Sequence, residues 1–232
     1  LAVDAVSGRA LVVDNSLGAG IAVDLTSGVR TVLSNATVPD ATNPFTSPIG
    51  IALDAANGRA LVTDGNAVIA VDLSSGVRTI LTNDTIPDTN NVFGTAYAIV
   101  MDASNNRALV TDATLDAVIA VDLTSGVRTV LSSATIPDTN NPLFFPLGIT
   151  LDVANSRVLV SNLGSGGSAG TVTAVDLTSG VRTILSDPTT PDTFNPFFTP
   201  VGIALDVVSG RALIVDNNLR AVISVHLATG AR

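Results

Sequence analysis

The sequence predicts an all-β chain, a β-propeller of about five four-stranded blades. Three observations predict it. A unit of about fifty residues recurs along the chain. Each unit holds four short segments rich in β-branched residues. Glycine, Asp and Asn separate those segments at fixed offsets.

The clearest unit runs from Gly50 to Leu81, and the Asp that ends its first segment recurs at Asp4, Asp54, Asp102, Asp152 and Asp206. Its strands are expected at 51–54, 59–64, 68–73 and 77–81. In the third, Ile69, Val71 and Leu73 share one face while Val68 and Ala70 share the other. Both faces are apolar, so the strand is expected between packed layers. Between the first and second strands lies Asn57-Gly58, and between the third and fourth lies Ser75-Gly76. Glycine supplies the left-handed backbone that such tight hairpins need. A β-solenoid is the competing architecture, but its rungs are shorter and lack paired tight hairpins.

This reading makes residues 1–232 a single domain, with blades at approximately 1–49, 50–97, 98–147, 148–201 and 202–232. The last is incomplete: there are five copies of the first three strands and four complete copies of the fourth. Two expectations follow, a segment of a six-bladed or longer chain, or a ring that closes in an unusual way.

Composition excludes several function classes. The formal net charge is −9, which repels nucleic-acid phosphates. No apolar run approaches the ~20 residues that span a bilayer, so membrane insertion is not expected. There is no cysteine, hence no thiolate metal site or Cys nucleophile. Glu, Lys and Gln are absent, which weakens any helical reading. His226, the one histidine, sits where the previous repeat has Asp176 and reads as a drifted structural position. No catalytic residue is singled out.

The charges follow the repeat. Of 11 arginines, five open the second strand and five sit in the fourth; only Arg220 stands apart. Seventeen of 20 aspartates likewise occupy repeated positions. A catalytic site needs unlike groups converging once, so repeated charges read as turn caps and strand-end pairs.

The long connection after each fourth strand carries a repeated Pro-Asp motif. Its candidate binding residues are Asp40, Asn43 and Phe45, then Asp88, Asn91 and Phe93, then Asp138, Asn141 and Phe144, and last Asp192, Asn195 and Phe197. All seven phenylalanines lie in these loops. In a propeller the loops project from one face, so the motif would ring that face. Three readings stay open. The Asp and Asn cap turns while Phe plugs the space between blades. Alternatively Asp40, Asp88, Asp138 and Asp192 bind Ca²⁺, a hard cation that suits oxygen ligands. Or the loops are an apolar contact surface. The Gly-rich insertion at 162–170 lacks the Lys-Ser/Thr ending of a phosphate loop. Asn35 and Asn83 fit the N-glycosylation sequon.

Ile51-Ala52-Leu53-Asp54, then Gly58-Arg59, then Leu61-Val62-Thr63-Asp64, resembles the YWTD repeat of low-density-lipoprotein-receptor propellers, and is similar to NHL-type propellers. The Tyr-Trp pair of that repeat falls on Leu61-Val62, so only Thr63-Asp64 is kept. The resemblance covers nearly the whole chain. It implies an extracellular, usually six-bladed, binding module, and its broader group includes lactonases with an acidic metal site in the central channel. The expectation is therefore a non-catalytic secreted or cell-surface propeller (a periplasmic one is the variant) that binds a protein partner or another copy of itself, with no cofactor unless Ca²⁺. The alternative is a metal-dependent lactonase-like hydrolase.

Overall fold

The protein is represented by a computed structural model describing residues 1–164, 170–191 and 193–232. It is all-β, with five antiparallel blades of the β-propeller kind; among the described residues helix is limited to three short 3-10 turns.

The first sheet holds β1 (Ala2–Asp4), β2 (Arg9–Asp14), β3 (Ala19–Asp24) and β4 (Arg30–Ser34). The second holds β5 (Pro48–Asp54), β6 (Arg59–Asp64), β7 (Ala67–Asp72) and β8 (Arg78–Thr82). The third holds β9 (Ala96–Asp102), β10 (Arg107–Asp112), β11 (Ala117–Asp122) and β12 (Arg128–Ser132). The fourth holds β13 (Pro146–Asp152), β14 (Arg157–Asn162), β15 (Thr171–Asp176) and β16 (Arg182–Ser186). The fifth holds β17 (Pro200–Asp206), β18 (Arg211–Asp216) and β19 (Ala221–His226). Every sheet is a meander in sequence order, the first four with four strands and the fifth with three.

By contacts the chain divides into two compact units, Leu1–Val110 with Ala120–Thr129, and Thr111–Ile119 with Val130–Arg232; the division runs through the third sheet. In the first unit Leu11 packs in one apolar cluster with Ile51, Val62, Ile69 and Val71 of the second sheet. In the second unit Leu159 and Val172 of the fourth sheet pack with Ala212, Ile214 and Val225 of the fifth. β6 and β7 are buried on both faces, which is why their sequences run apolar instead of alternating.

Strand limits differ from expectation for identifiable reasons. β5 starts at Pro48, because a register irregularity between Pro48 and Ile51 extends pairing past the expected start. Thr63 bonds across that irregularity. Its hydroxyl accepts from the Gly50 amide at 2.8 Å and donates to the Tyr97 carbonyl at 2.6 Å. A Cβ on Gly50 would sit 2.6 Å from that carbonyl, so only glycine fits. β7 ends at Asp72 rather than Leu73, because the Asp72 carboxylate is committed to the following turn. The first hairpin is a 3-10 turn closed by Gly58 at φ 61°; Asn106 and Ser156 take the same left-handed position in the next two sheets.

Candidate functional site

The loops after β4, β8, β12 and β16 are organised by an arginine that comes from the next sheet. The Arg78 side chain is buried. Its guanidinium donates to the carbonyls of Val38 (3.1 Å), Asp40 (2.7 Å) and Asn43 (2.8 Å), and to Ser34 Oγ (2.5 Å). Arg128 donates to the carbonyls of Ile86, Asp88 and Asn91 and to the Thr82 hydroxyl. Arg182 donates to those of Ile136 (2.6 Å), Asp138 (2.6 Å) and Asn141 (2.9 Å), and to Ser132 Oγ (2.8 Å). Arg232 repeats the pattern on Ser186, Asp187, Thr190 and Phe194. A planar, always-charged five-donor group suits this task, and Lys does not.

The repeated Asp and Asn serve the same clasp. Asp40, Asp88 and Asp138 each accept, through Oδ1, from the backbone amide two residues on, at 2.7 Å. That amide, foremost among several causes, holds the Asp40 carboxyl below the usual range. Asn43, Asn91, Asn141 and Asn195 all adopt left-handed φ of 46–48°. The first three return a bond from Nδ2 to the carbonyl of Arg78, Arg128 and Arg182. The carboxylates approach the guanidinium only at 3.9, 3.7 and 3.5 Å, so backbone carbonyls are the principal partners. Burial lowers the pKa of Arg182, and the Asp138 charge opposes that.

The aromatic candidates divide. Phe45, Phe93 and Phe197 are buried, and Arg78 and Arg232 lie over the rings of Phe45 and Phe197 at 5.7 and 5.5 Å. In the third loop the buried equivalent is Leu143, not Phe144: Leu143 stands two residues after Asn141, as Phe45 does after Asn43, and Phe144 falls on the following, exposed position held by Thr46 and Phe198 in other loops. Phe145, Phe194 and Phe198 are exposed with it, at 46, 72 and 52%. Phe145 sits at φ 52°, rare for an aromatic residue. Its amide donates to Asp116 Oδ1 at 2.6 Å and its carbonyl accepts from Leu163, so both sides of the peptide are tied. Asp192 and residues 165–169 of the Gly-rich insertion lie outside the described residues.

Sequence reasoning missed the arginine clasp. The signal was present: every Pro-Asp loop is preceded by Ser34, Thr82, Ser132 or Ser186 and answered by an Arg about 45 residues later. The five arginines that open the second strands behave as read. Arg9, Arg59, Arg107, Arg157 and Arg211 pair through Nε with Asp4, Asp54, Asp102, Asp152 and Asp206 at 2.8–3.0 Å. Asp64 and Asp216 accept the amides that end the Pro-Asp loops, Thr46 and Thr199 among them. Two grooves of about 460 Å³ are lined by equivalent residues, Arg9, Asp24 and Thr31 in one and Arg59, Asp72 and Thr79 in the other. No group of three or more His, Cys, Asp or Glu that could hold a metal occurs among the described residues. No described helix is long and apolar enough to cross a membrane.

No family model and no curated protein matches the chain. Solved structures do. The crystal structure of a nidogen/laminin complex is 17% identical, covers 93% of this chain and 73% of that chain, and has a TM-score of 0.70. A structural-genomics protein of unknown function from Bacteroides thetaiotaomicron is 13% identical, covers 96% and 57%, and has a TM-score of 0.72. A gluconolactonase from Xanthomonas campestris is 17% identical, covers 99% and 72%, and has a TM-score of 0.70. At such identities the likeness carries the fold alone, and the class it defines is the β-propeller.

Proposed function

We propose that the protein is a non-catalytic binding module of the YWTD/NHL-like kind, secreted or displayed at the cell surface, whose loops contact an apolar protein surface. One observation carries this reading: the repeat symmetry is broken by exposed aromatics. Phe144, Phe145, Phe194 and Phe198 are exposed, and in the loop that carries the first two, Asp138 and Asn141 serve backbone structure. Exposed aromatics are what binding surfaces enrich, whereas a hydrolase would need unlike polar groups gathered at one point. The nidogen/laminin likeness agrees with a binding role, and the gluconolactonase likeness is the reason to test for hydrolysis.

The test has two arms. Peptide-display selection on the immobilised protein is expected to enrich apolar and aromatic sequences, and a variant with all four Phe→Ser is expected to lose them. A panel of aldonolactones is assayed with Ca²⁺, Mn²⁺ and Zn²⁺. Metal-dependent turnover, or selection indifferent to the four phenylalanines, overturns the proposal.

A further inference from the structure

The two equivalent grooves, both within the first unit, each pair an Arg with an Asp that it does not bond. Arg9 stands opposite Asp24 across β2 and β3, and Arg59 opposite Asp72 across β6 and β7. Each Arg turns its Nε instead to Asp4 or Asp54, at 3.0 and 2.8 Å. Nη2 of Arg59 donates to the Leu123 carbonyl at 3.0 Å. Its Nη1, and both Nη groups of Arg9, have no partner among the described residues, and the two side chains are 21 and 24% exposed. The carboxylates are divided in the same way. Oδ1 of Asp24 and of Asp72 takes every bond of its turn, and Oδ2 takes none among the described residues. Each groove thus keeps a spare N–H donor and a spare carboxylate acceptor on neighbouring strands.

A hydroxyl and an aliphatic wall complete each set. Thr31 in one groove and Thr79 in the other are exposed, and their hydroxyls bond nothing among the described residues. The same Thr recurs at Thr129 and Thr183. Ser74 and Ser75, or Thr124 and Ser125, line the groove from the turn of the next sheet. Val29 and Val38 form the apolar side of the first groove, Val77 and Ile86 that of the second, and all four are exposed. The volume, about 460 Å³ in each, lies within the ~300–1,000 Å³ of ligand clefts. The chemistry narrows the ligand. A single hydroxyl can accept from a guanidinium and donate to a carboxylate at once. Asp4 and Asp54 neutralise the two arginines and the chain carries a net charge of −9, which disfavours anions, while the guanidinium disfavours cations.

We propose that these two grooves bind neutral glycans, one sugar unit in each. A sugar hydroxyl accepts from the spare guanidinium N–H and donates to Oδ2 of Asp24 or Asp72. A neighbouring hydroxyl meets Thr31 or Thr79, and the C–H face of the ring lies on the valine wall. Two like sites on one chain favour a polymer that repeats its own unit, since the second contact is then intramolecular. The grooves use none of the four exposed phenylalanines, so this binding is independent of the loop reading.

The experiment is an array of neutral gluco-, manno- and galacto-oligosaccharides, with sialylated and sulfated glycans beside them. Wild type is expected to bind neutral members in preference to charged ones. On a surface of the polysaccharide built from the bound sugar, Thr31→Val with Thr79→Val is expected to weaken binding about fivefold or more, the worth of an ordinary hydrogen bond in each groove. The free monosaccharide should compete about a hundredfold less well than the polymer. Val keeps the shape and strand preference of Thr at these exposed positions, so circular dichroism should be unchanged; Thr31→Ala with Thr79→Ala serves if it is not. The four-Phe variant is expected to bind the glycan like wild type, which separates this proposal from the loop reading. No neutral glycan bound, a preference for sialylated or sulfated ones, or a double Thr variant that binds like wild type overturns it.

Discussion

Arg182 Nη1 donates to Ser132 Oγ at 2.8 Å across 50 residues of sequence, and this bond joins the start of one blade's last strand to the end of the preceding blade's last strand. The same guanidinium meets the carbonyls of Ile136, Asp138, Asn140 and Asn141, so one side chain fixes a whole loop. Arg182→Met keeps much of the apolar stem but orphans these acceptors. It is expected to cost ~3–5 kcal/mol, the range for removing one partner of a buried charged network. Urea denaturation measures the loss. Arg182→Lys should recover only part of it, since an ammonium cannot bridge four diverging carbonyls.

Gly76 and Gly58 both adopt left-handed φ, at 74° and 61°, yet they should respond differently to alanine. A Cβ on Gly76 would lie 2.1 Å from the Leu33 carbonyl of the preceding sheet, whereas one on Gly58 meets nothing within 4 Å. Gly58→Ala is expected to cost ~1–2 kcal/mol, the left-handed penalty alone. Gly76→Ala adds a backbone collision and should cost more than twice that. Equal losses in thermal melts of the two variants would show that the close approach of Gly76 to Leu33 is wrong.

These two glycines also show how much was legible in sequence. The repeat, the strands, the turn positions and the propeller class could be read because each depends on local pattern: apolar runs bounded by Asn-Gly or Ser-Gly. Which face of a turn touches the next sheet depends on a residue about forty positions away, and no local rule reports it. The loops show the same divide. Asp40 and Asn43 could be read as turn formers from their types. That Arg78 gathers the carbonyls around them required coordinates. Leu143 was hidden by chemistry: the eye follows Phe144, while the buried position only asks for an apolar side chain of sufficient size.

Acid should weaken the turns between the third and fourth strands of the first four sheets. Asp72 Oδ1 accepts from the hydroxyls and amides of Ser74 and Ser75, led by the Ser74 hydroxyl, and its pKa lies far below the ordinary carboxylate value. Asp24, Asp122 and Asp176 are lowered in the same way, led by the amides of Ser27, Ser125 and Ser179. A depressed folded pKa means a stabilisation fully present above the unfolded value of about 3.9 and lost as pH falls through the folded one. The denaturation midpoint should therefore be insensitive to these groups near neutrality and fall below about pH 4. Ser74→Ala with Ser75→Ala should lessen that fall; an unchanged acid limb would remove these turns as its cause.

Calcium should leave the described Pro-Asp loops as they are. Oδ1 of Asp40, Asp88 and Asp138 is already taken by a loop amide, and the carbonyls of those same residues accept from Arg78, Arg128 and Arg182. A cation there would have to displace or crowd a buried guanidinium, and like charges in one small loop repel. A ligand that binds only the folded state at a hundred times its Kd adds about 2.7 kcal/mol, which would be plain in a melting curve. The expected outcome is superimposable melts in excess Ca²⁺ and in excess chelator, with Asp138→Asn equally indifferent to the metal. A Ca²⁺-dependent rise in melting temperature that Asp138→Asn abolishes would instead place a cation beside Arg182 and show that the loop opens to admit it.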